Sequence, residues 1–178
     1  MPLLEPLLAL RPLHDLPRTG WILRGISAPE SVGDHVLSTA FLVLALGPRV
    51  EPAIDVERAL ALAVLHDTPE ALTGDWPRPV AQLLPQGAKH AAEDEAAKRL
   101  LPPLSGLAFE RWLEYRAQTT REARFARVCD RLQLGLQLVA YTRAGHTGLE
   151  EFHATVRELD CGEFKSAEAF KAEILAAL

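Results

Sequence analysis

DVERALALAVLHDTPEALTGD, Asp55 to Asp75, is the most informative stretch of the chain. Asp55 is a good helix N-cap, because its carboxylate can accept from a free backbone N–H of the first turn. The residues after it are Leu, Ala and Val with few polar interruptions, which predicts a buried helix. That helix runs directly into His66-Asp67. Pro69 then suits the first turn of a new short helix capped by Asp67 or Thr68. Thr73-Gly74-Asp75 reads as a turn. A histidine and an aspartate at the end of an apolar helix need partners, since an unpaired buried carboxylate is expensive.

Working outward, apolar spacing predicts further helices. One covers about Glu30 to Leu46, with Val32, Val36, Ala40, Val43 and Leu44 near one face, and Gly47-Pro48 ends it. A charged helix is expected over about Lys89 to Leu101, stopped by Pro102-Pro103, and another over about Leu104 to Gln118. The longest starts at Thr119 or Thr120, with Thr119 and Glu122 as a candidate capping box. It reaches about Tyr141, with Phe125, Val128, Leu132, Leu136 and Val139 as its stripe. A last helix is expected from Ser166 to Leu178. No segment alternates with period two. The expected fold is all-α: a single-domain helical bundle over residues 1–178, with its motif-bearing core at about 18–141.

Composition agrees. The chain has 178 residues, of which 48% are apolar and 6% aromatic. This suits one domain with a Leu- and Ala-rich core. No run of about 18 apolar residues predicts a membrane span. The N-terminal MPLLEPLLALRPLHDL carries Glu5 early and lacks a basic region and a cleavage site, so no signal peptide is read. The net charge of −5 and the lack of a dense basic run argue against grip on polymeric nucleic acid. Cys129 and Cys161 show no CxxC spacing, and free thiols in a reducing cytoplasm are the simplest expectation.

The chemistry concentrates in four residues. His66-Asp67 alone could be a core hydrogen bonder and a helix cap. His35, three residues after Val32, lies near the inward face of the helix before it. Asp130 interrupts the apolar helix in RVCDRLQL. Two imidazoles and two carboxylates from three helices suit a divalent transition metal with coordination positions left open, as a catalytic centre requires. Glu70 and Asp75 follow closely. A carboxylate there can move a proton, although first-turn dipole compensation and a turn role are the bland readings of the two.

Several blocks resemble one family. They are RTGW (Arg18–Trp21), PESVGDH (Pro29–His35), LHDTPEALTGD (Leu65–Asp75), KHAAEDEAA (Lys89–Ala97), WLEY (Trp112–Tyr115) and VCDRLQLGLQ (Val128–Gln137). Together they look like the 5′-deoxynucleotidase branch of the HD-domain metal phosphohydrolases. The resemblance implies that His35, His66, Asp67 and Asp130 hold one divalent metal (Mn, Co, Fe or similar, with Mg an alternative). It implies that Glu70 activates the attacking water and that Asp75 contacts the sugar hydroxyl. Arg18 and Trp21 would complete the substrate pocket, although some relatives place the arginine directly before the tryptophan, where Gly20 stands here. The same resemblance raises a homodimer. Its competitors are triphosphate or phosphodiester cleavage on the same scaffold, a di-iron oxygenase, for which only His90 is spare, and a non-catalytic binding module. His90 sits among Glu93, Asp94 and Glu95 and reads as part of a solvated face.

Overall fold

The computed structural model describes residues 2–178. In chain order the helices are α1 (Leu4–Leu8), α2 (Thr19–Ile22), α3 (Val32–Leu46), α4 (Val56–Leu65), α5 (Glu70–Thr73) and α6 (Arg78–Leu83). Then come α7 (Ala88–Leu104), α8 (Gly106–Ala117), α9 (Arg121–Arg143), α10 (Glu150–Arg157) and α11 (Lys165–Ala177). Short 3-10 turns cover Arg11–His14 and Gly47–Arg49. Among the described residues there is no strand, only an isolated bridge between Pro17 and Ser31. No described helix is long and apolar enough to cross a membrane.

Local chemistry fixes the helix starts. Ser31 caps α3 with a full capping box: its Oγ accepts from Asp34 N at 3.0 Å and Asp34 Oδ2 accepts from Ser31 N at 2.9 Å. Asp55 caps α4 as expected, accepting from Arg58 N at 2.9 Å. The expected box at α9 does not form. Thr120 is the cap, accepting from Ala123 N, and Glu122 instead accepts from Asp55 N at 3.1 Å, tying the start of α9 to the start of α4. Pro102 and Pro103 do not stop α7, which continues to Leu104. Their missing N–H groups would have served the carbonyls of Lys98 and Arg99, both exposed to water. Leu100 and Leu101 meanwhile bury against Ala108 and Trp112.

α3, α4 and α9 pack on one another and form the centre of the bundle. Leu42 and Val43, Ala59 and Leu62, and Phe125, Cys129 and Leu132 fill the space between them. Leu44 and Leu136, expected in the apolar stripes, are exposed. α10 and α11 press on the far side of α9 at Gly135, where a Cβ would come within 3.1–3.2 Å of Ile174 and Val156. That packing holds α9 with Asp130 facing the ends of α3 and α4.

Candidate metal centre

Each central helix delivers one part of a cluster. α3 contributes His35, the end of α4 contributes His66 and the adjoining Asp67, and α9 contributes Asp130. Both histidines are buried. The Nε2 atoms of His35 and His66 face each other at 3.2 Å. Asp130 Oδ1 lies 3.1 Å from His35 Nε2 and 3.6 Å from His66 Nε2. Asp67 Oδ2 lies 3.2 Å from His66 Nε2 and 3.5 Å from His35 Nε2. The tightest set is His35, His66 and Asp130, whose ligand atoms all fall within 4.8 Å of one another. Asp67 meets the two imidazoles from its own side.

The far ring nitrogens explain why a cation fits. His66 Nδ1 donates to Ala63 O at 2.6 Å. His35 Nδ1 meets Gln133 Oε1 at 2.6 Å, and Gln133 Nε2 donates to Glu30 Oε2 at 2.6 Å. Because Glu30 accepts the amide N–H, Gln133 presents its oxygen and His35 must carry its proton on Nδ1. Both Nε2 lone pairs therefore point at each other and at two carboxylates, with no proton between neutral rings. Only positive charge reconciles four acceptors at these distances. The proton equilibria show the same demand. Burial opposes a charge on His66, yet Asp67 and Asp130 raise its pKa well above the ordinary value. Burial likewise opposes ionised Asp130, yet the two histidines hold it well below the carboxylate range. The donor set fits a divalent metal.

Behind the cluster runs a continuous chain of hydrogen bonds centred on the half-buried Glu30. Glu30 Oε1 accepts from Trp21 Nε1 at 2.9 Å, and Glu30 N donates to the Tyr141 hydroxyl at 2.8 Å. Glu30 thus anchors Gln133, which fixes the tautomer and tilt of His35. Replacing Glu30 with Ala is expected to weaken divalent-metal affinity about 10–100-fold, the usual cost of losing such an outer partner. Titration calorimetry with Mn²⁺ measures this, and unchanged affinity in a folded Glu30→Ala protein would detach the chain from the site.

The remaining predicted residues fall around this cluster. Glu70, at the start of α5, is 4% exposed, and its Oε2 is buried without a hydrogen-bond partner. Lys89 Nζ stands 3.9 Å from its Oε1. Burial, then the nearby Asp67 and Asp75, push the Glu70 pKa up to about 9; a divalent charge among these carboxylates reverses that direction. Arg18 bridges the two aspartates, 3.7 Å from Asp67 and 3.2 Å from Asp75. Asp75 also accepts from Thr19 N at 2.5 Å, so its carboxylate locks the Arg18 segment against the turn after α5. Gly74, at φ 76°, makes that turn. Trp21 is placed mostly behind the site. It is 2% exposed, packs on Tyr141 and Phe152, and spends its N–H on Glu30. His90 is exposed on the rim, as its charged neighbours suggested.

A cavity of about 210 Å³ opens onto His66, Asp67, Glu70 and Asp130. Four cations, Lys89, Arg116, Arg127 and Arg131, line it together with His90, Glu93 and Trp112. Tyr115 lines it and donates to Asp130 Oδ2 at 3.2 Å. Sequence reasoning assigned no role to Gln133, Glu30 or Tyr115. For Gln133 a signal existed: three residues after Asp130 on one helix, it shares that face.

An HD-domain family model matches residues 10–168. The chain belongs to the HD-domain family. HD-domain phosphohydrolases depend on a metal, and the His-His-Asp group here is able to hold one. The human protein named 5′-deoxynucleotidase HDDC2 is 34% identical over 148 residues, covering 81% of this chain and 70% of that protein. The Schizosaccharomyces pombe 5′-deoxynucleotidase hdd1 is 33% identical over 151 residues, covering 79% and 73%. The crystal structure of the PH0347 protein from Pyrococcus horikoshii superposes on this HD domain with a TM-score of 0.84 at 30% identity, covering 98% of this chain and 99% of that one.

Proposed function

We propose that this HD-domain protein is a 5′-deoxynucleotidase, hydrolysing deoxyribonucleoside 5′-monophosphates to deoxynucleoside and phosphate. The observation that carries the reading is the buried, unpartnered Glu70 Oε2 beside four converging metal-competent side chains, in a cavity that gathers four cations. The naming of similar proteins as 5′-deoxynucleotidases supports the substrate class. His35, His66, Asp67 and Asp130 would hold one divalent transition metal. When bound, it supplies Lewis-acid polarisation of the phosphate and lowers the pKa of water.

The protein's own groups account for the rest. Glu70 accepts a proton from the attacking water through its free oxygen. Water oxygen bonds to phosphorus, the bond from phosphorus to the 5′ oxygen breaks, that oxygen takes a proton from solvent, and Glu70 releases its own to solvent to complete the cycle. Arg18, oriented by Asp75, offers a guanidinium to the phosphate. Asp75 retains acceptor capacity for a sugar hydroxyl, because a carboxylate has about four lone-pair sites. The two buried free cysteines accord with a cytoplasmic location, and a homodimer belongs to the same reading.

The test is phosphate release over deoxy- and ribonucleoside mono-, di- and triphosphates with Mn, Co, Fe and Mg. A 2′-hydroxyl without a partner costs about 1–3 kcal/mol, so deoxy substrates should be favoured roughly ten- to hundred-fold in kcat/KM. Equal efficiencies for dAMP and AMP, and for dUMP and UMP, would leave a phosphohydrolase without deoxy preference. Arg127 and Arg131 on the cavity wall favour a second reading, triphosphate cleavage, and faster turnover of triphosphates would select it.

A further inference from the structure

We propose that the nucleobase of the substrate lies in a cleft between the Trp76–Pro77 segment and α10, and that Trp76 presents its aromatic face to the base. The inference rests on the nucleotide reading above. A cavity of about 190 Å³ is bounded at one end by Arg18, Asp75 and Lys89 and farther in by Trp76, Leu134 and Phe152. Its charged end touches the centre: Arg18 is 3.7 Å from Asp67 and Lys89 is 3.9 Å from Glu70. The cavity continues into a larger one of about 420 Å³, with Gly20, Pro77, Arg78, Leu134 and Phe152 common to both. The far wall of the larger space carries Gln82 and Thr155.

The path therefore leads from the charged end at Arg18, Asp75 and Lys89, past Trp76, Pro77, Leu134 and Phe152, to a wall of hydrogen-bonding groups in which Gln82 and Thr155 stand beside the paired Arg24 and Glu151. A nucleotide has the same order: phosphate, sugar, then a flat base with a polar edge. The other opening from the centre gathers four cations, Lys89, Arg116, Arg127 and Arg131, and its two aromatic residues are spent elsewhere: Trp112 is buried in the core and Tyr115 donates to Asp130.

The two tryptophans near this path are not equivalent. Both line the smaller cavity, but Trp21 is 2% exposed, packs its ring on Tyr141 and Phe152, and has its N–H held by Glu30. Trp76 is half-buried, directly follows Asp75, and donates Nε1 to Thr73 O at 2.7 Å. That bond fixes the ring while leaving it on the cavity wall. Stacking of a base on an aromatic side chain is worth about ten-fold or more in affinity.

The test uses the metal-loaded protein and two substrates, dAMP and 2-deoxyribose 5-phosphate, which keeps sugar and phosphate but has no base. Trp76→Ala removes the stacking face. Gly20→Leu fills the junction of the two cavities: a Cβ at Gly20 meets only Phe152, at 4.0 Å, and its φ is not positive, so α2 accepts the side chain. Each variant is expected to lower the ratio of dAMP to 2-deoxyribose 5-phosphate efficiencies about ten-fold, mainly through KM. An unchanged ratio in both folded variants overturns the cleft assignment. If the unsubstituted protein hydrolyses 2-deoxyribose 5-phosphate but no nucleotide, the functional reading falls first, and the cleft with it.

Discussion

A His66→Ala protein is expected to retain its helical fold but bind no stoichiometric divalent metal, and to lose at least about a thousand-fold in phosphate release. His66 touches both other groups that define the centre from the α3 and α4 side: its Nε2 is 3.2 Å from His35 Nε2 and 3.2 Å from Asp67 Oδ2. Removing it leaves Asp67 and Asp130 flanking a gap with one imidazole. Metal-ion charge stabilisation is worth several kcal/mol at a phosphoryl transition state, and about 4 kcal/mol is a thousand-fold in rate. Metal analysis of the purified variant, its circular dichroism and its phosphate-release rate read the three parts separately. Full metal content in a folded His66→Ala protein would remove His66 from the ligand set.

Glu70→Gln separates proton transfer from metal binding. The amide keeps the shape of a side chain that is 4% exposed, so α5 retains its packing. What changes is the buried Oε2, which in the native chain has no internal partner and is therefore available to a water. The variant is expected to hold the metal with near-native affinity and lose about a hundred-fold or more in kcat, the range for a lost general base. A small change in KM should accompany it, because the proposed phosphate contact is made by Arg18 and not by Glu70. Near-native turnover would return Glu70 to helix-dipole compensation at the first turn of α5.

The main helices were readable because long apolar periodicity and N-caps are local signals. Asp55 capped where expected, and an all-α bundle followed from the absence of period-two segments. The elements that escaped were α1, α2, α6 and α10, of four to eight residues each. Helices this short owe their existence to docking, and no periodicity marks them. Pro102-Pro103 misled for a related reason: burial of Leu100 and Leu101 outweighed two missing donors. At the site, the candidate ligands could be named because acidic and imidazole groups stand out against apolar helix. Their support could not. Glu30 reaches His35 only through Gln133, a residue 103 positions away in the chain. Similarly, Asp75 read as a turn or sugar contact, and its pairing with Arg18 needed two distant segments to meet.

Convergence of α3, α4 and α9 on one point also bears on how the bundle stays closed. The three helices share a core on one side and a ring of mutually repelling acceptors on the other. Without positive charge, the ring works against the packing that creates it. An ion seated there acts as a non-covalent cross-link between segments far apart in the chain, and it has no comparable seat in the unfolded ensemble. Mass action then couples folding to metal supply: at a free concentration a hundred times the dissociation constant, occupancy adds about 2.7 kcal/mol to the stability of the native state. The inorganic composition of the surroundings thereby sets how often the bundle opens, independently of whether any substrate is present.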